Sequence, residues 1–338
     1  MGKSYPRRDS ASGVWRVTDI ADNLQKYGTW PSGATRGIFG GGVNTGTAAL
    51  DSINYITLET TGDAADFGNL SATRRLMTWF GNFTRTMVAG GYVSAAINVI
   101  EYINPFSTGN MTDFGNLSEA RYGVMGTANK TLGYICGGHD GSNNENSIDK
   151  LTIATTGNAA DFNDLSVARR GGGSFASARQ SYCAGGLTPS GSNVIDFVDF
   201  ASSANTTDFG DCLVSNEGQT GCANSTRGLQ AGGSPAVNTI GSLTLGTRAD
   251  AIDFGDLTRA QDFLGSASSQ IRGVFGGGGH PSSGDSNIID YVTIASAGDA
   301  TDFGDLDAVS AGGGVSNGHG GIDFQDPGVR FAPTPGVW

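Results

Sequence analysis

Short segments of alternating apolar and polar residues recur along most of the chain, separated by glycines and small polar residues. In one unit, residues 272–275 form an apolar stretch that ends in glycines, and residues 289–294 are rich in β-branched and aromatic side chains. Residues 301–306 and 311–316 give two further short stretches. Alternation with a period of two is typical of strands, and glycine permits tight turns. The pattern predicts four strands per unit and no sustained helix between residues 36 and 319.

The same pattern returns six times. Each unit has a Gly-Gly pair, then an isoleucine that usually precedes an acidic or aromatic position, then an Asp-Phe landmark. The landmark residues, interpreted as a structural repeat, are Asp66, Phe67, Asp113, Phe114, Asp161, Phe162, Asp208, Phe209, Asp253, Phe254, Asp302 and Phe303. Successive phenylalanines are 47, 48, 47, 45 and 49 residues apart. Four strands in about 47 residues correspond to one blade of a β-propeller.

The predicted fold is an all-β, six-bladed propeller with four antiparallel strands per blade. The units are residues 36–84, 85–131, 132–179, 180–226, 227–271 and 272–319, flanked by an N-terminal arm with a short helix (1–35) and a C-terminal arm (320–338). Strands converge at the axis, so the small-residue segment after each phenylalanine should lie innermost. Trp79 is the bulky exception, and we expect it to plug one side of the channel.

The two ends of the repeat predict how the ring closes. The first unit begins directly with its Gly-Gly strand, whereas the sixth ends with a surplus small-residue strand near residues 310–317. Unpaired strand edges leave backbone donors and acceptors without partners. The surplus strand is therefore expected to complete the first blade as its innermost strand.

The order of the landmarks resembles the kelch repeat, with phenylalanine where kelch has tryptophan. The arginine four residues after the leucine of each turn is present as Arg74, Arg121 and Arg169, and is replaced by Asn216, Gln261 and Ser310 in the later units. This resemblance covers about residues 36–319 and implies a propeller. A propeller alone implies no particular function.

The amino-acid sequence of the repeats, as in residues 272–306, also resembles kelch-type repeats in virion proteins of marine tailed phages. Residues 12–31 resemble the leading segment of phage tail and fibre proteins. This resemblance implies a non-enzymatic virion structural protein, tail- or fibre-associated, in an extracellular particle made in the host cytoplasm. Other virion proteins, further copies of the chain and a host-surface glycan or protein are the implied partners. Two alternatives stay open: a kelch-like protein- or carbohydrate-binding module, and a propeller glycan hydrolase or lyase.

Composition and charge narrow the function classes. The chain has 338 residues, a formal net charge of −12 and only 20 Lys and Arg residues without a basic run. A nucleic-acid groove needs clustered positive charge, so this class of partner is disfavoured. No apolar run is long enough to insert into a membrane, and the first fifteen residues lack the apolar core of a signal peptide.

Cysteine, histidine and aspartate offer no clear cofactor or metal site. The four cysteines form no CxxC pair and are expected to be mostly free, buried thiols, although a Cys212–Cys222 bridge stays open. His139 and His280 belong to units that face each other across the ring, too far apart to share a zinc ion. The repeated aspartates lack the spacing of a calcium loop. We expect them to accept backbone N–H groups in turns or to pair with strand-starting arginines.

Two parts of the chain are candidates for contacts with partners. The variable loops between the Gly-Gly strand and the next strand are residues 43–51, 92–96, 139–146, 187–192, 234–237 and 279–286. Their candidate binding residues are Tyr92, His139, Asp140, Asn143, Asn144, His280 and Asp285. The arms carry the candidate assembly residues Trp15, Ile20, Leu24, Trp30 and Trp338. Large apolar side chains outside a domain core are typical of partner surfaces.

Overall fold

The computed structural model describes residues 35–44, 48–280, 284–307 and 312–322. Within these residues, six four-stranded antiparallel sheets surround a central axis as the blades of a β-propeller. The predicted fold class and blade number are confirmed. No helix in the described part of the chain is long and apolar enough to cross a membrane.

The strands follow the predicted order of four per repeat. The first thirteen are β1 Arg36–Gly40, β2 Ser52–Thr57, β3 Ala65–Asn69, β4 Thr78–Gly81, β5 Thr86–Ala89, β6 Val99–Ile103, β7 Thr112–Asn116, β8 Met125–Ala128, β9 Leu132–Cys136, β10 Ser147–Thr152, β11 Ala160–Asp164, β12 Gly173–Ala176 and β13 Gln180–Ala184. The others are β14 Val194–Asp199, β15 Thr207–Asp211, β16 Thr220–Ala223, β17 Arg227–Ala231, β18 Val237–Thr244, β19 Ile252–Gln261, β20 Gly265–Ser268, β21 Arg272–Gly276, β22 Gly279–His280, β23 Gly284–Asp285, β24 Ile288–Thr293, β25 Thr301–Asp305 and β26 Gly313–Ser316.

Each blade begins with a strand at the axis, rich in small residues except in β4, and ends with the Asp-Phe strand at the rim. Blades 2 to 5 are β4–β7, β8–β11, β12–β15 and β16–β19, and blade 6 contains β20, β21, β24 and β25. Blade 1 has the order β26-β1-β2-β3. The blades are thus offset by one strand from the sequence units, because the last strand of each unit is the first strand of the next blade.

The last described strand closes the ring, as predicted. β26 pairs antiparallel with β1, and the register places Ile38 opposite Val315 and Phe39 opposite Gly314. β26 also lies against the innermost strands of its two neighbours, β20 and β4. The innermost edge of blade 1 is therefore filled by residues nearly three hundred positions away in the sequence.

A β-bulge explains why each outer strand contains the Asp-Phe landmark. In blade 1, Ile53 pairs with Gly68 and the next residue, Asn54, pairs with Asp66, so Phe67 is the extra residue. The same shift occurs in the other five blades. A bulge redirects a side chain, and here it turns the ring of Phe67 into the core, where it is 2% exposed and packs edge-on against Tyr55.

The glycine after the phenylalanine allows neighbouring blades to meet at the rim. Gly68 has a φ of 150°, and a Cβ there would lie 2.2 Å from the carbonyl oxygen of Gly109 in blade 2. Because the backbones come this close, the amide of Gly109 donates to the oxygen of Phe67 at 2.8 Å. The amide of Met111 donates to the oxygen of Asn69 at 2.9 Å. Equivalent bonds join blade 6 to blade 1, where the amides of residues 62 and 64 donate to the oxygens of residues 303 and 305.

The repeated aspartates contribute to these rim contacts differently from the expectation. The side chains of Asp66, Asp113, Asp161, Asp208, Asp253 and Asp302 are exposed on the outer strands. Asp208 accepts a backbone N–H as expected, but from Gly210 of its own strand, at 3.1 Å. The inter-blade acceptors are instead the side-chain oxygens of Asp63, Asn110, Asn158, Asn205, Asp250 and Asp299, each bonded to a backbone N–H of the preceding blade. These residues occupy the turn that leads into the outer strand, where a short polar side chain reaches the neighbouring backbone.

Strand-starting arginines also differ from the expectation, because they contact rings and carbonyl oxygens. The guanidinium of Arg36 lies 4.6 Å from the centre of the Tyr55 ring and donates to the oxygen of Pro105 in the next blade at 2.9 Å. Arg85 and Arg272 make the corresponding pair of contacts in blades 2 and 6. These residues therefore fasten one blade to the next.

Trp79 does not plug the channel as expected but fills the space between the inner strands of blades 1 and 2. It is 4% exposed and packs with Ile38, Ile53 and Val315 in a hydrophobic cluster. A Cβ on Gly313 would lie 2.3 Å from the Trp79 ring. Side chains of an inner strand point at neighbouring blades rather than along the axis, so a large ring there requires glycine opposite it.

Three arginines are buried together with carboxylates at successive blade junctions. Each lies in the segment that crosses from one blade to the next, and each pairs with an acid on the third strand of the next blade. The pairs are Arg74–Glu101, Arg121–Asp149 at 3.0 Å and Arg169–Asp196 at 2.8 Å. Burial lowers the pKa of Arg74 to about 10. A charge in so dry a site is tolerable only with an opposite charge beside it.

The same carboxylate also fixes the turn that follows the outer strand of the preceding blade. Asp149 accepts hydrogen bonds from the backbone N–H and the hydroxyl of Ser118, and Asp196 accepts both from Ser166. The arginine donates to a backbone oxygen at the end of the next Gly-Gly strand, as from Arg121 to Gly137 at 2.9 Å. Arginine, acid and serine thus form one polar unit across each of these junctions.

The fourth and fifth junctions replace this unit in two ways. At the fourth, Asn216 replaces the arginine, Gly241 replaces the acid, and Leu213 replaces the serine. A Cβ on Gly241 would lie 3.4 Å from the Leu213 side chain, so the acid and serine positions are apolar here. Asn216 stays buried and accepts a hydrogen bond from Gln219 at 2.5 Å. At the fifth, Gln261 replaces the arginine and donates to Gly277 at 3.0 Å, but Asp290 keeps its carboxylate.

Asp290 is therefore a buried carboxylate with Thr258 as its hydrogen-bond donor and without the arginine that its counterparts have. It is 1% exposed, and burial raises its pKa. All four cysteines are also buried, and none forms a disulfide. Cys212 and Cys222 are thus both free, and burial raises the pKa of each thiol to about 12.

We predict that truncation after Asp307 unfolds the whole propeller rather than one blade. The truncated chain lacks β26, which leaves β1 with an open edge and removes the contacts to β4 and β20. Thermal unfolding followed by circular dichroism should show no cooperative transition near that of the full chain. Retention of a cooperative transition with loss of about one sixth of the strand signal would contradict this.

We predict that Asp290→Asn stabilises the protein at pH 7, because it removes a carboxylate whose pKa is raised by burial and which lacks the paired arginine of its counterparts. The raised pKa means that the folded state keeps its proton more tightly than the unfolded state, so the cost of this group grows as pH rises. The advantage of the variant should therefore disappear near pH 4. Urea unfolding at the two pH values measures the difference.

Asp196→Asn is the matched control, since it removes the partner of Arg169 at an equivalent position. It should destabilise the protein at pH 7 by about 3–5 kcal/mol. Gln261→Arg should place a guanidinium beside Asp290 and remove the benefit of Asp290→Asn. Equal destabilisation by Asp290→Asn and Asp196→Asn would show that the missing arginine is unimportant.

Candidate functional site

The inner strands enclose a central channel with a cavity of about 140 Å³. Its described lining consists mainly of glycine, alanine, serine, threonine and scattered apolar side chains, together with His319 at one end. This lining contains no Asp, Glu, Lys or Arg. Hydroxyl groups join neighbouring inner strands, as where Ser174 donates to the oxygen of Gly126 at 2.8 Å and Ser268 to the oxygen of Ala223 at 2.8 Å.

One end of the channel is closed by residues 317–322, which we call the floor segment. They follow β26 and cross the axis where the inner strands end. The amide of Gly320 donates to the oxygen of Ala223 in blade 5 at 2.8 Å, and a Cβ on Gly321 would lie 1.9 Å from the oxygen of Ala128 in blade 3. Only glycine fits so close to the strand ends. The channel is therefore a pocket that is closed at the floor.

His319 holds the floor segment in place. Its Nε2 lies 2.8 Å from the oxygen of Gly81 in blade 2, and its Nδ1 accepts a hydrogen bond from the amide of Gly321 at 3.1 Å. Both contacts are satisfied by the neutral imidazole with its proton on Nε2. Burial lowers the pKa of His319 to about 4, so the ring is neutral at pH 7.

The opposite end, where the inner strands begin, is the mouth. A chain of backbone hydrogen bonds passes around it: Gly123 donates to Leu76, Gly171 to Gly123, Gly218 to Gly171, and Phe263 to Gly218, at 2.6–2.8 Å. All five residues have positive φ, including the non-glycine residues Leu76 at 56° and Phe263 at 52°. A positive φ is uncommon in residues other than glycine, and it persists where the surrounding structure holds the backbone in that conformation.

The residues outside this ring of hydrogen bonds form the mouth face. At each described junction, the residue after the buried arginine position forms a β-bridge with the residue after a Gly-Gly pair. The bridges are Arg75 with Tyr92, Tyr122 with His139, Arg170 with Leu187, Glu217 with Ser234 and Asp262 with Gly279. The frame is repeated, but no two of these five bridges join the same pair of residue types.

Aromatic and cationic side chains are concentrated over blades 2 to 4 of this face. The ring of Tyr92 meets that of Tyr122 edge-on with 5.4 Å between ring centres, and the centre of the His139 ring lies 5.0 Å from that of Tyr122. The guanidinium of Arg75 lies 5.2 Å from the Tyr92 ring, and that of Arg170 lies 5.9 Å from the Tyr122 ring. The structure therefore places two of the predicted loop residues, Tyr92 and His139, in one group.

The other predicted residues of the His139 loop lie beside this group. Asp140 and Asn143 are exposed, and Asp140 accepts hydrogen bonds from the amides of Ser142 and Asn143 at 2.5 and 2.6 Å. These bonds lower the pKa of Asp140. Asn144 donates to the oxygen of Leu187 at 2.9 Å, which links the loop to the next blade.

His280 and Asp285 lie on blade 6, on the other side of the ring. Their backbones belong to the small hairpin of β22 and β23, and their side chains lie outside the described structure. The assembly residues Trp15, Ile20, Leu24, Trp30 and Trp338 also lie outside the described residues. Within the described residues, no three His, Cys, Asp or Glu side chains are grouped as metal ligands would be.

Sequence reasoning missed Arg75, Tyr122 and Arg170 as members of this face. Each directly follows a repeat landmark, Arg74, Arg121 or Arg169, at a position that varies among the units and is Glu217 in the fourth and Asp262 in the fifth. A comparison of the six units one position beyond the landmark arginine would have found them. Variation beside a repeated position is the available signal.

Comparison of the chain with protein-family models gives no match, and comparison with the curated proteins gives none either. The propeller architecture is shown by the six sheets themselves. A propeller hosts many unrelated functions. The function is therefore inferred from the geometry of the mouth and the floor and not from the fold.

We predict that His319 makes the protein less stable as pH falls from about 6.5 to about 4. The folded-state pKa of about 4 lies below the ordinary value of 6.5, so the unfolded chain binds a proton that the folded chain does not. The full effect is about 3 kcal/mol and is complete below pH 4. In His319→Gln, which can keep one donor and one acceptor, this part of the pH dependence should be absent.

Urea unfolding of both proteins at pH 8, 6, 5 and 4 measures this difference. Similar stability at pH 8 shows that the variant keeps the floor segment in place. Parallel pH profiles for the two proteins would contradict the role of His319.

Proposed function

We propose that the protein is a non-enzymatic structural component of a tailed-phage virion, tail- or fibre-associated, in which the propeller is a rigid platform for assembly and host-surface recognition. The observation that carries this proposal is the separation of two faces. Variable loops form the mouth face. Residues 35 and 318, which contact each other, lie at the floor end together with the floor segment. The arms adjoin the floor end in sequence, so assembly and recognition would use opposite faces.

The way in which the ring is joined supports a platform role. Neighbouring blades share backbone hydrogen bonds at the rim and at the mouth, and β26 and the floor segment tie the last repeat to the other blades. A ring whose blades are joined both at the rim and near the axis deforms little when force acts between its two faces. A binding surface on such a frame stays preorganised, which lowers the entropic cost of binding.

The channel favours binding over catalysis. Glycoside hydrolysis uses two carboxylates about 5–10 Å apart across the scissile bond. The described lining presents hydroxyls and one imidazole that is already engaged at both nitrogens. Cys222, the thiol in the lining, has its pKa raised to about 12 by burial, which suppresses the nucleophilic thiolate.

The resemblance of the repeats to kelch repeats and to virion proteins of marine tailed phages supports the location in a particle. The expected partners are other virion proteins and further copies of the chain, in an extracellular particle assembled in the host cytoplasm. The formal charge of −12 disfavours contact with nucleic acid. The second candidate, a kelch-like protein- or carbohydrate-binding module outside a particle, is favoured by the same mouth face.

We predict that deletion of residues 1–30 or 327–338 leaves the propeller folded but prevents its incorporation into particles. Both deletions keep β1 through β26 and the floor segment, so the thermal transition should stay close to that of the full chain. Mass spectrometry of purified particles, complemented with each form, measures incorporation.

A folded full-length protein that is absent from purified particles would overturn the virion proposal and favour the free binding module. Normal incorporation after both deletions would leave the virion location but remove the role of the arms. Full-length protein in stoichiometric amounts, lost on either deletion, is the expected result.

A further inference from the structure

The aromatic side chains of the mouth face are not required by the fold. Five equivalent β-bridges are described around the mouth, and Leu187, Ser234 and Gly279 form theirs without a ring. The three rings, Tyr92, Tyr122 and His139, are adjacent to one another. Features that the propeller needs recur from blade to blade, so this break in the repeat points to another purpose.

Neither tyrosine contributes to the core. Tyr92 and Tyr122 are half-buried and belong to none of the described hydrophobic clusters between blades. Val93, next to Tyr92, is 43% exposed. Contiguous apolar surface rimmed by polar residues is typical of a partner surface, whereas single exposed apolar residues are common. The rings are also held in fixed positions, by each other and by Arg75 and Arg170.

Polar groups surround the rings and still have hydrogen-bonding capacity. Arg75 is exposed, and no ion pair of Arg75 occurs among the described residues. The side chains of Asp140 and Asn143 are exposed at the edge of the group. The Oδ1 atom of Asn144 is buried and has no hydrogen-bond partner in the described structure. Hydrogen-bond donors and acceptors thus lie directly beside the aromatic rings on this face.

This combination suits a sugar better than a peptide. The C–H groups on one face of a pyranose ring are weakly positive and rest on the negative face of an aromatic ring, while its hydroxyls both donate and accept hydrogen bonds. A peptide bound by strand addition would need a free backbone edge. At the described mouth, these edges are already paired by the β-bridges.

We propose that the mouth face over blades 2 to 4 is a carbohydrate-binding site, in which Tyr92 and Tyr122 pack against pyranose rings and Arg75, Asp140 and Asn143 bind hydroxyl or acidic groups. This inference rests on the proposed recognition function and deepens it. The ligand class is a cell-surface oligosaccharide that contains pyranose rings. The repeated backbone bridges position the site, and the side chains at the three adjacent junctions determine which sugar it binds.

The test uses the full chain on an array of immobilised bacterial lipopolysaccharide and capsular oligosaccharides. We expect binding to at least one glycan, with affinity reduced at least tenfold by Tyr92→Ala and by Tyr122→Ala. Tyr92→Phe and Tyr122→Phe keep the ring and should retain most of the affinity. Ser234→Ala changes an equivalent bridge position on the far side of the mouth and should have no effect. Unchanged thermal transitions show that the variants are folded.

Absence of binding to every glycan, or equal binding by wild type and both alanine variants, would overturn the carbohydrate site. Tyrosine-dependent binding to a peptide array without glycan binding would also overturn it. The outcome is separable from that of the proposed function. Protein that is present in particles but binds no glycan refutes this site alone, whereas tyrosine-dependent glycan binding by a protein absent from particles refutes only the virion location.

Discussion

The structure depends on the fact that a four-stranded blade has two apolar faces and cannot bury either one alone. Each blade must be covered on both sides, so the row of blades has to close into a ring. The packing clusters accordingly lie between blades, as where Phe39 and Leu58 of blade 1 pack with Val274 and Phe303 of blade 6. The strand offset, the rim bonds and the floor segment all follow from this requirement, because each joins a blade to a neighbour or to the last repeat.

Electrostatics at the junctions show how six copies of one unit can diverge without losing the fold. The arginine and the acid depend on each other, so replacing either of them alone leaves a buried charge unpaired. The fourth junction has lost all three and is apolar around Leu213 and Gly241. The fifth has kept the acid as Asp290 without the arginine. The described part of the chain thus contains three junctions with the complete polar unit, one junction that has lost all three residues, and one that keeps only the acid with a threonine donor.

Repetition made the fold predictable from the sequence. Six occurrences of Phe67 and its equivalents specified the blades, and the surplus segment near Val315 specified the closure. Roles of single side chains were harder to predict, because they depend on which blade lies next to a residue. Asp66 belongs to the most visible landmark yet is exposed, while the bond to the next blade comes from the less regular turn residues such as Asn110. The expectation for Trp79 was wrong because the side chains of an inner strand alternate between the two neighbouring blades and do not point into the channel.

The candidate site was predictable only where it departs from the repeat. Tyr92 and His139 stood out because they lie in loops of variable length, but Tyr122 lies beside a landmark and attracted no attention. The floor could not be predicted at all. The sequence of residues 317–322 shows a glycine-rich segment with one histidine, and nothing in it indicates that the histidine lies between Gly81 and Gly321 across the axis.

The pairing of β26 with β1 also determines when the protein can fold during synthesis. Residue 36 leaves the ribosome long before its partner strand at residues 313–316 is made. Throughout elongation, β1 offers an open edge and the nascent chain carries uncovered blade faces, which are the features that promote association between chains. The ring can close only after residues 313–316 have emerged, so the yield of folded protein depends on how well the early blades avoid pairing with other molecules before then.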